Sequence, residues 1–278
     1  MRESFRKTIS RLAVCAAAIM LASCGSDSGD EPEGGNNPGG SAGNTGHAVK
    51  HRLERVEYIY GQGERKTAFS NLIYDKEGRL EGYNGQHSKV YTYHYRKDKI
   101  EVMIGLDHNS TRLERGYTLE KGRIANRCRY DKENRLIAVV NIPQTIGTIR
   151  QDIEWTDGNI TKITTSNESD GRVLYTYRYK YSDIPCESLM MCMGYLGDTT
   201  MPSPYNALYY IDPVLVEEGY YGNSMVKNLW SEWEHEDAKG EIVRHKLSWD
   251  DFANGLPGYA LYTWDPSGVE KFWYTWAD

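Results

Sequence analysis

From about residue 50 to residue 185 the chain alternates apolar and polar positions with a period of two, broken by short polar turns. Val90-Tyr91-Thr92-Tyr93-His94-Tyr95 and Val173-Leu174-Tyr175-Thr176-Tyr177-Arg178-Tyr179-Lys180-Tyr181 are the clearest runs. Successive side chains of a strand point to opposite faces, so this period predicts strands with one face covered. The turns share a chemistry. Tyr74-Asp75-Lys76-Glu77-Gly78-Arg79-Leu80 and Tyr130-Asp131-Lys132-Glu133-Asn134-Arg135-Leu136 each place an aromatic strand end before Asp. Two charged residues, a Gly or Asn, and Arg-Leu follow. Asp bonds its own turn, and Gly or Asn tolerates positive φ, so both stretches read as hairpin turns. Leu119-Glu120-Lys121-Gly122-Arg123-Ile124, Arg96-Lys97-Asp98-Lys99-Ile100 and Trp155-Thr156-Asp157-Gly158-Asn159-Ile160 are looser copies. Turns recurring in this way predict an antiparallel meander.

The pattern changes near residue 186. Leu189, Met190, Met191, Met193, Tyr195 and Leu196 cluster without alternation, which predicts one short apolar helix near 187–196 that plugs the core. Strand signals resume after Pro202 and Pro204. Trp230 to Glu236, the turn Asp237-Ala238-Lys239-Gly240 and Glu241 to Trp249 read as a hairpin. Gly255-Leu256-Pro257 and Asp265-Pro266-Ser267-Gly268 mark two more turns, and Val269 to Trp276 reads as a last strand. The expectation is an all-β body over 48–278, one domain with halves at about 48–185 and 205–278.

The amino terminus follows other rules. Arg2, Arg6, Lys7 and Arg11 precede a short apolar run from Leu12 to Ala22, the pattern of a secretory signal over residues 1–23. The run is too short to span a bilayer as a helix. Leu21-Ala22-Ser23-Cys24 resembles the lipobox of bacterial lipoproteins, in which the cysteine thiol carries a diacylglycerol. The resemblance implies lipidation at Cys24 and a membrane partner through that lipid. Two or more acyl chains hold a protein stably on a membrane. Residues 24–47 then form a tether. Eight Gly and two Pro stand among residues 25–46, which cannot bury enough surface to order themselves. A flexible tether of this length reaches about 26 Å. Asp27, Asp30, Glu31 and Glu33 resemble the surface-export signal of Bacteroidetes lipoproteins, which implies the outer membrane and the cell surface.

Charge and composition narrow the partners. Without residues 1–23 the chain holds 29 Lys and Arg against 38 Asp and Glu, a formal charge of about −9. Phosphate binding needs a basic face, so nucleic acid is not an expected partner. Cys128, Cys186 and Cys192 remain besides Cys24. Cys186 and Cys192 are close enough to pair, and all three also read as small buried residues. The chain has 22 Tyr and 7 Trp but only 4 Phe, a bias toward strands and toward rings with one polar edge.

Taken together, the lipobox, the Gly/Asp tether, the Tyr-Asp-x-x-Gly-Arg-Leu units, the mid-chain helix and Gly219-Tyr220-Tyr221-Gly222 resemble a family of Bacteroidetes lipoproteins. That family is classed as a domain of unknown function with a porin-like fold. The turn units are also similar to the tyrosine–aspartate repeats of Rhs-type shell proteins. The resemblance implies a strongly curved meander, a soluble open barrel. A membrane barrel would need a lipid-facing apolar band, which the Tyr/Thr/Arg/Lys alternation does not supply.

The search for chemistry finds no catalytic motif. No HExxH, GxSxG, P-loop or GxGxxG is present. His235 and His245 flank a hairpin, and Glu232 or Glu234 could complete a metal set across it, but two solvated strand residues are the simpler reading. Asp250/Asp251 and Glu217/Glu218 are consecutive, and consecutive strand residues face opposite ways, which makes a poor catalytic pair for glycoside hydrolysis. The expectation is a protein that is not an enzyme, with no catalytic residue, no metal and no cofactor. Six of the seven Trp are Trp230, Trp233, Trp249, Trp264, Trp273 and Trp276. Their rings suit sugar faces, so the expected role is a binding scaffold for a glycan or an envelope protein. The alternatives are an envelope structural or assembly protein, whose Trp pack the inside of the sheet, and a glycan hydrolase. Asp198-Thr199-Thr200 resembles the O-glycosylation triplet of that phylum.

Overall fold

A computed structural model describes residues 52–60, 66–85, 90–96, 99–105, 113–120, 127–145, 147–192, 203–209, 211–264 and 268–277. The predicted signal, Cys24, the tether and the Asp198-Thr199-Thr200 triplet lie outside the described residues. The period-two runs form strands, all antiparallel to their neighbours. They are β1 (Leu53–Tyr60), β2 (Lys66–Tyr74), β3 (Leu80–Gly85), β4 (Val90–Tyr95), β5 (Lys99–Gly105), β6 (Leu113–Glu120), β7 (Cys128–Tyr130) and β8 (Leu136–Gln144). β9 (Gly147–Thr156), β10 (Asn159–Asn167), β11 (Val173–Pro185), β12 (Asn228–Asp237), β13 (Ile242–Ala253), β14 (Leu256–Trp264) and β15 (Gly268–Trp276) complete one 15-stranded sheet. Consecutive strands pair everywhere except between β6 and β7, and one pairing joins strands far apart in sequence. β1 pairs with β15, which joins the ends of the sheet region, while β6 and β7 stand at the two edges and leave the sheet open.

One device recurs along the meander. A ring near the end of a hairpin's second strand donates its polar hydrogen to a carbonyl near the start of the first. Tyr74 bonds Leu53 at 2.8 Å, Tyr95 bonds Leu80 at 2.9 Å and Trp155 bonds Leu136 at 2.7 Å. Tyr181 bonds Ile160 at 2.7 Å, Trp249 bonds Trp230 at 2.8 Å and Trp276 bonds Pro257 at 2.9 Å. The apolar body of each ring covers the core while its polar edge satisfies a carbonyl the ladder leaves free. All six bonds lie at the same end of the sheet, here the locked end.

The described turns form as their residues require, while the expected turns at 97–98, 121–124 and 265–267 lie outside the described residues. Asp75 Oδ1 accepts from the Arg79 amide at 2.9 Å and Oδ2 from its Nε at 2.8 Å. Asp131 repeats both bonds with Arg135 at 2.8 Å. Gly78 and Asn134 take the matching positive φ of 84° and 61°. Asp157-Gly158 and Asn254-Gly255 have positive φ at both positions, the turn whose twist suits a two-residue hairpin.

The segment between β11 and β12 fills the inside of the sheet. Leu189, Met191, Tyr205, Leu208, Val214, Leu215, Val216 and Tyr221 are all buried. It meets both halves of the sheet order. Asp212 accepts from Tyr93 of β4 at 3.1 Å, and Gln151 of β9 bonds the Ala207 carbonyl at 2.8 Å and the Tyr209 amide at 2.7 Å. β4 and β9 are each third from an edge, so the sheet curls round this plug. The plug is mostly irregular. The expected helix near 187–196 is only a 3-10 turn, Leu189–Cys192, within the described residues. The short helix is instead α1 (Pro213–Glu217), where Asp212 caps the Val214 amide at 2.9 Å, Pro213 takes the first position and Gly219 has φ 76°. Glu217 belongs to this packing. It accepts from Ser188 Oγ at 3.0 Å and from the Leu189 amide at 2.5 Å, and so caps the 3-10 turn. Cys128 and Cys186 are buried free thiols, which removes a Cys186–Cys192 disulfide.

The outer face carries cross-strand and same-strand ion pairs over β9–β13. Arg178 pairs with Glu236 at 2.7 Å, Lys180 with Glu232 at 2.7 Å, Arg244 with Glu234 at 2.9 Å, Lys162 with Glu154 at 2.8 Å and Arg150 with Asp152 at 2.6 Å. A strand face built this way cannot sit against hydrocarbon. Over β9–β13 the sheet is therefore porin-like in its meander and unlike a porin in its surface.

Candidate functional site

Strand parity places the site. On β12 the outward residues are Glu232, Glu234 and Glu236, so Trp233, His235 and Asp237 point inward. Register continues that inner row across the sheet. Tyr177 of β11 pairs with His235, Trp233 with His245 of β13, His245 with Trp264 of β14, and Tyr262 with Glu270 of β15. These residues line the inside of the sheet at the end opposite the locked end.

Exposure grades along this wall. Nearest the rim, Tyr175, Tyr177, Trp233, His235, Val243 and Trp264 are half-buried. Tyr179 and His245, in the row of Trp233 and Trp264, are buried, as are Leu247, Tyr262 and Glu270 one row deeper, and beneath them lie Trp230, Trp249, Ala260 and Phe272. The wall is thus the rim and upper lining of a concave mouth, a common seat for ligands in β-barrel folds.

The rings stack in order. Tyr177 lies on His235 with centroids 4.7 Å apart. Trp233 lies on His245 at 3.7 Å and 6° between planes, and Tyr262 lies on Trp264 at 4.9 Å. Tyr262 and His245 Nδ1 share a hydrogen bond of 2.6 Å. Gly268 is required here, because a Cβ at that position would collide with the Trp264 ring. The plug reaches the same rim, where Tyr209 and Tyr175 join hydroxyls at 3.1 Å.

Burial sets the charge of the wall. It pushes His245 down to about 3, with His235 adding a smaller push in the same direction. Burial also lowers His235, against the pull of Asp237. Burial alone pushes Glu270 up to about 7. Burial raises Tyr262, and the neighbouring Glu270 raises it further. At neutral pH both imidazoles are uncharged, and Glu270 is the one acid of the buried row. Trp233 Nε1 and His235 Nε2 are buried and have no hydrogen-bond partner among the described residues. Trp230 Nε1 in the core is likewise unpaired, so all three are polar atoms that the fold buries without a partner.

The arrangement can hold flat rings and offer them a few polar contacts. His245 spends Nδ1 on Tyr262, and His235 lies among the rings of Tyr175 and Tyr177. The metal set considered across the β12–β13 hairpin is divided by parity. His235 and His245 face inward, while Glu232 and Glu234 face outward in ion pairs with Lys180 and Arg244.

The six late Trp have different fates. Trp233 and Trp264 share the mouth wall. Trp230 and Trp249 meet edge to face at 5.8 Å in the core. Trp276 packs at the locked end. Trp273 is turned outward and lies 5.5 Å from Tyr259. Nearby on the outer face, Ser231, Glu232, Lys246, Ser248, Leu261 and Thr263 line a shallow depression of about 300 Å³. Sequence reading passed over Glu270, Tyr262 and Tyr177. Glu270 carries a signal nonetheless, because it shares parity with Phe272 and Tyr274 in an otherwise apolar register.

No protein-family profile matches the sequence, and no curated protein matches it either. Among solved structures, the chain is similar to a porin-like protein from Bacteroides uniformis ATCC 8492, at 12% identity and a TM-score of 0.40. That match covers 81% of this chain and 98% of the other. It is also similar to a porin-like protein from Bacteroides vulgatus ATCC 8482, at 11% identity and a TM-score of 0.35, over 80% of this chain and 97% of that one.

Proposed function

We propose that the protein is a lipid-anchored scaffold of the cell envelope that binds a ring-bearing ligand, a glycan, in the mouth of its curved sheet, without catalysis. The anchor rests on the Leu21-Ala22-Ser23-Cys24 lipobox and the Gly-rich tether behind it. The binding reading rests on one observation. Trp233, His235, Trp264 and Tyr177 form a graded, half-buried aromatic wall at the rim, with two buried nitrogens unpaired. Aromatic faces offer apolar area with a polar edge, which suits a sugar ring.

The second reading, an envelope structural or assembly protein, is favoured by the full burial of Trp230 and Trp249 and by the charged outer face. Glycan-array binding by residues 47–278, read through Trp fluorescence, separates the two. The binding reading expects saturable quenching that Trp264→Ala weakens at least fivefold and Trp273→Ala leaves alone. Absence of binding, with rim Trp that an aqueous quencher cannot reach, would favour the structural reading.

A further inference from the structure

We infer that the ligand of the mouth carries a protonated amine, which is held against the carboxylate of Glu270 beneath the Trp233–Trp264 rim. The inference rests on the binding reading above and names the chemistry of its ligand. Glu270 is 4% exposed, faces the inside of the sheet and lies directly across from Tyr262. No cation among the described residues pairs with it. The basic residues of β11–β15 occupy the opposite parity. Arg178, Lys180 and Arg244 are committed to outer-face ion pairs. Lys246 lines the outer depression, and Lys271 is exposed between buried Glu270 and Phe272. The two imidazoles above Glu270 are neutral and supply no charge.

A buried carboxylate without a counter-charge is costly, and proteins normally pair it or keep it protonated. A ligand ammonium supplies the missing charge. The surrounding chemistry fits the same group. The half-buried ring of Trp264, at the edge of this stack, attracts cations, more strongly where water is excluded. A ring that stacks on the rim and bears an amine meets both parts of the site. An amino sugar is the simplest ligand of that form.

The test compares two probes of one shape on the full chain in detergent. Chitosan tetramer carries free amines, and chitin tetramer has the same rings with each amine acetylated and uncharged. Wild type is expected to bind the amine probe at least tenfold more tightly. Glu270→Gln, which keeps the shape and removes the charge, is expected to bring the two probes within twofold. Equal affinity of wild type for both probes would overturn the amine and leave the binding reading standing. So would a Glu270→Gln variant that keeps the tenfold preference. Failure of wild type to bind either probe, with mouth Trp fluorescence unchanged, would overturn both. The wild-type comparison decides the matter even if the variant does not fold.

Discussion

At the level of single residues, burial rather than pairing sets the chemistry of this protein. Glu270 has a folded-state value raised from 4.5 to about 7. Below pH 4.5 it is protonated whether the chain is folded or not, and its burial costs no charge. As pH rises to about 7 the unfolded chain ionises first, so stability falls across that window. Glu270→Gln should therefore leave stability nearly unchanged at pH 4 and raise it by about 3 kcal/mol at pH 8. Urea unfolding at the two pH values checks this, and an equal effect at both would contradict it. His245 acts with the opposite sign. Its value is depressed to about 3, so its contribution is present above pH 6.5 and fades as pH drops from there toward 3.

Individual hairpins are held by the recurring bond from a ring to a strand-start carbonyl. Tyr95 and Tyr181 serve two hairpins in different parts of the sheet. Tyr95→Phe and Tyr181→Phe each remove one hydroxyl and leave a buried carbonyl unsatisfied, at a cost of about 1 kcal/mol apiece. The two sites share no partner, so the double variant should lose the sum to within about 0.5 kcal/mol. Chemical denaturation of the three variants tests both statements. The Asp-to-Arg turn bonds belong to the same scale and were legible in advance. Tyr74-Asp75 through Leu80 and Tyr130-Asp131 through Leu136 each contain the acceptor, the positive-φ residue and the donor within seven positions. The ring bonds were not legible, because donor and acceptor stand 15 to 21 residues apart in the six hairpins.

For the whole molecule, the plug decides the shape of the interior. Gln151 is fully buried; its side-chain carbonyl accepts from the Tyr209 amide, and its nitrogen donates to the Ala207 carbonyl and to Thr165 Oγ1 of β10. Gln151→Ala leaves a plug carbonyl and a plug amide unpaired and should cost about 2–3 kcal/mol. Hydrogen exchange should rise across 203–226 more than across β13–β15. Uniform change over both regions would show that the plug and the sheet open as one unit. The plug also explains why the mouth sits where it does. It enters from the locked end, between β11 and β12, and among the described residues Tyr209 reaches the rim, at Tyr175.

The sequence by itself determined the strands, the turns and the antiparallel meander, because each depends on residues within a few positions of one another. Period-two alternation states that one face of a strand is covered. It does not state what covers it, and only the tertiary structure decided that. The pairing of β1 with β15, the curl of the sheet round the described residues of 186–192, 203–209 and 211–227 and the inward turn of Trp233 and Trp264 all join residues far apart in the chain. So does the placement of Glu270 under an aromatic rim. Local propensity acts over a few residues, whereas burial is shared among whichever segments finally meet, and here they meet only once the sheet has curled.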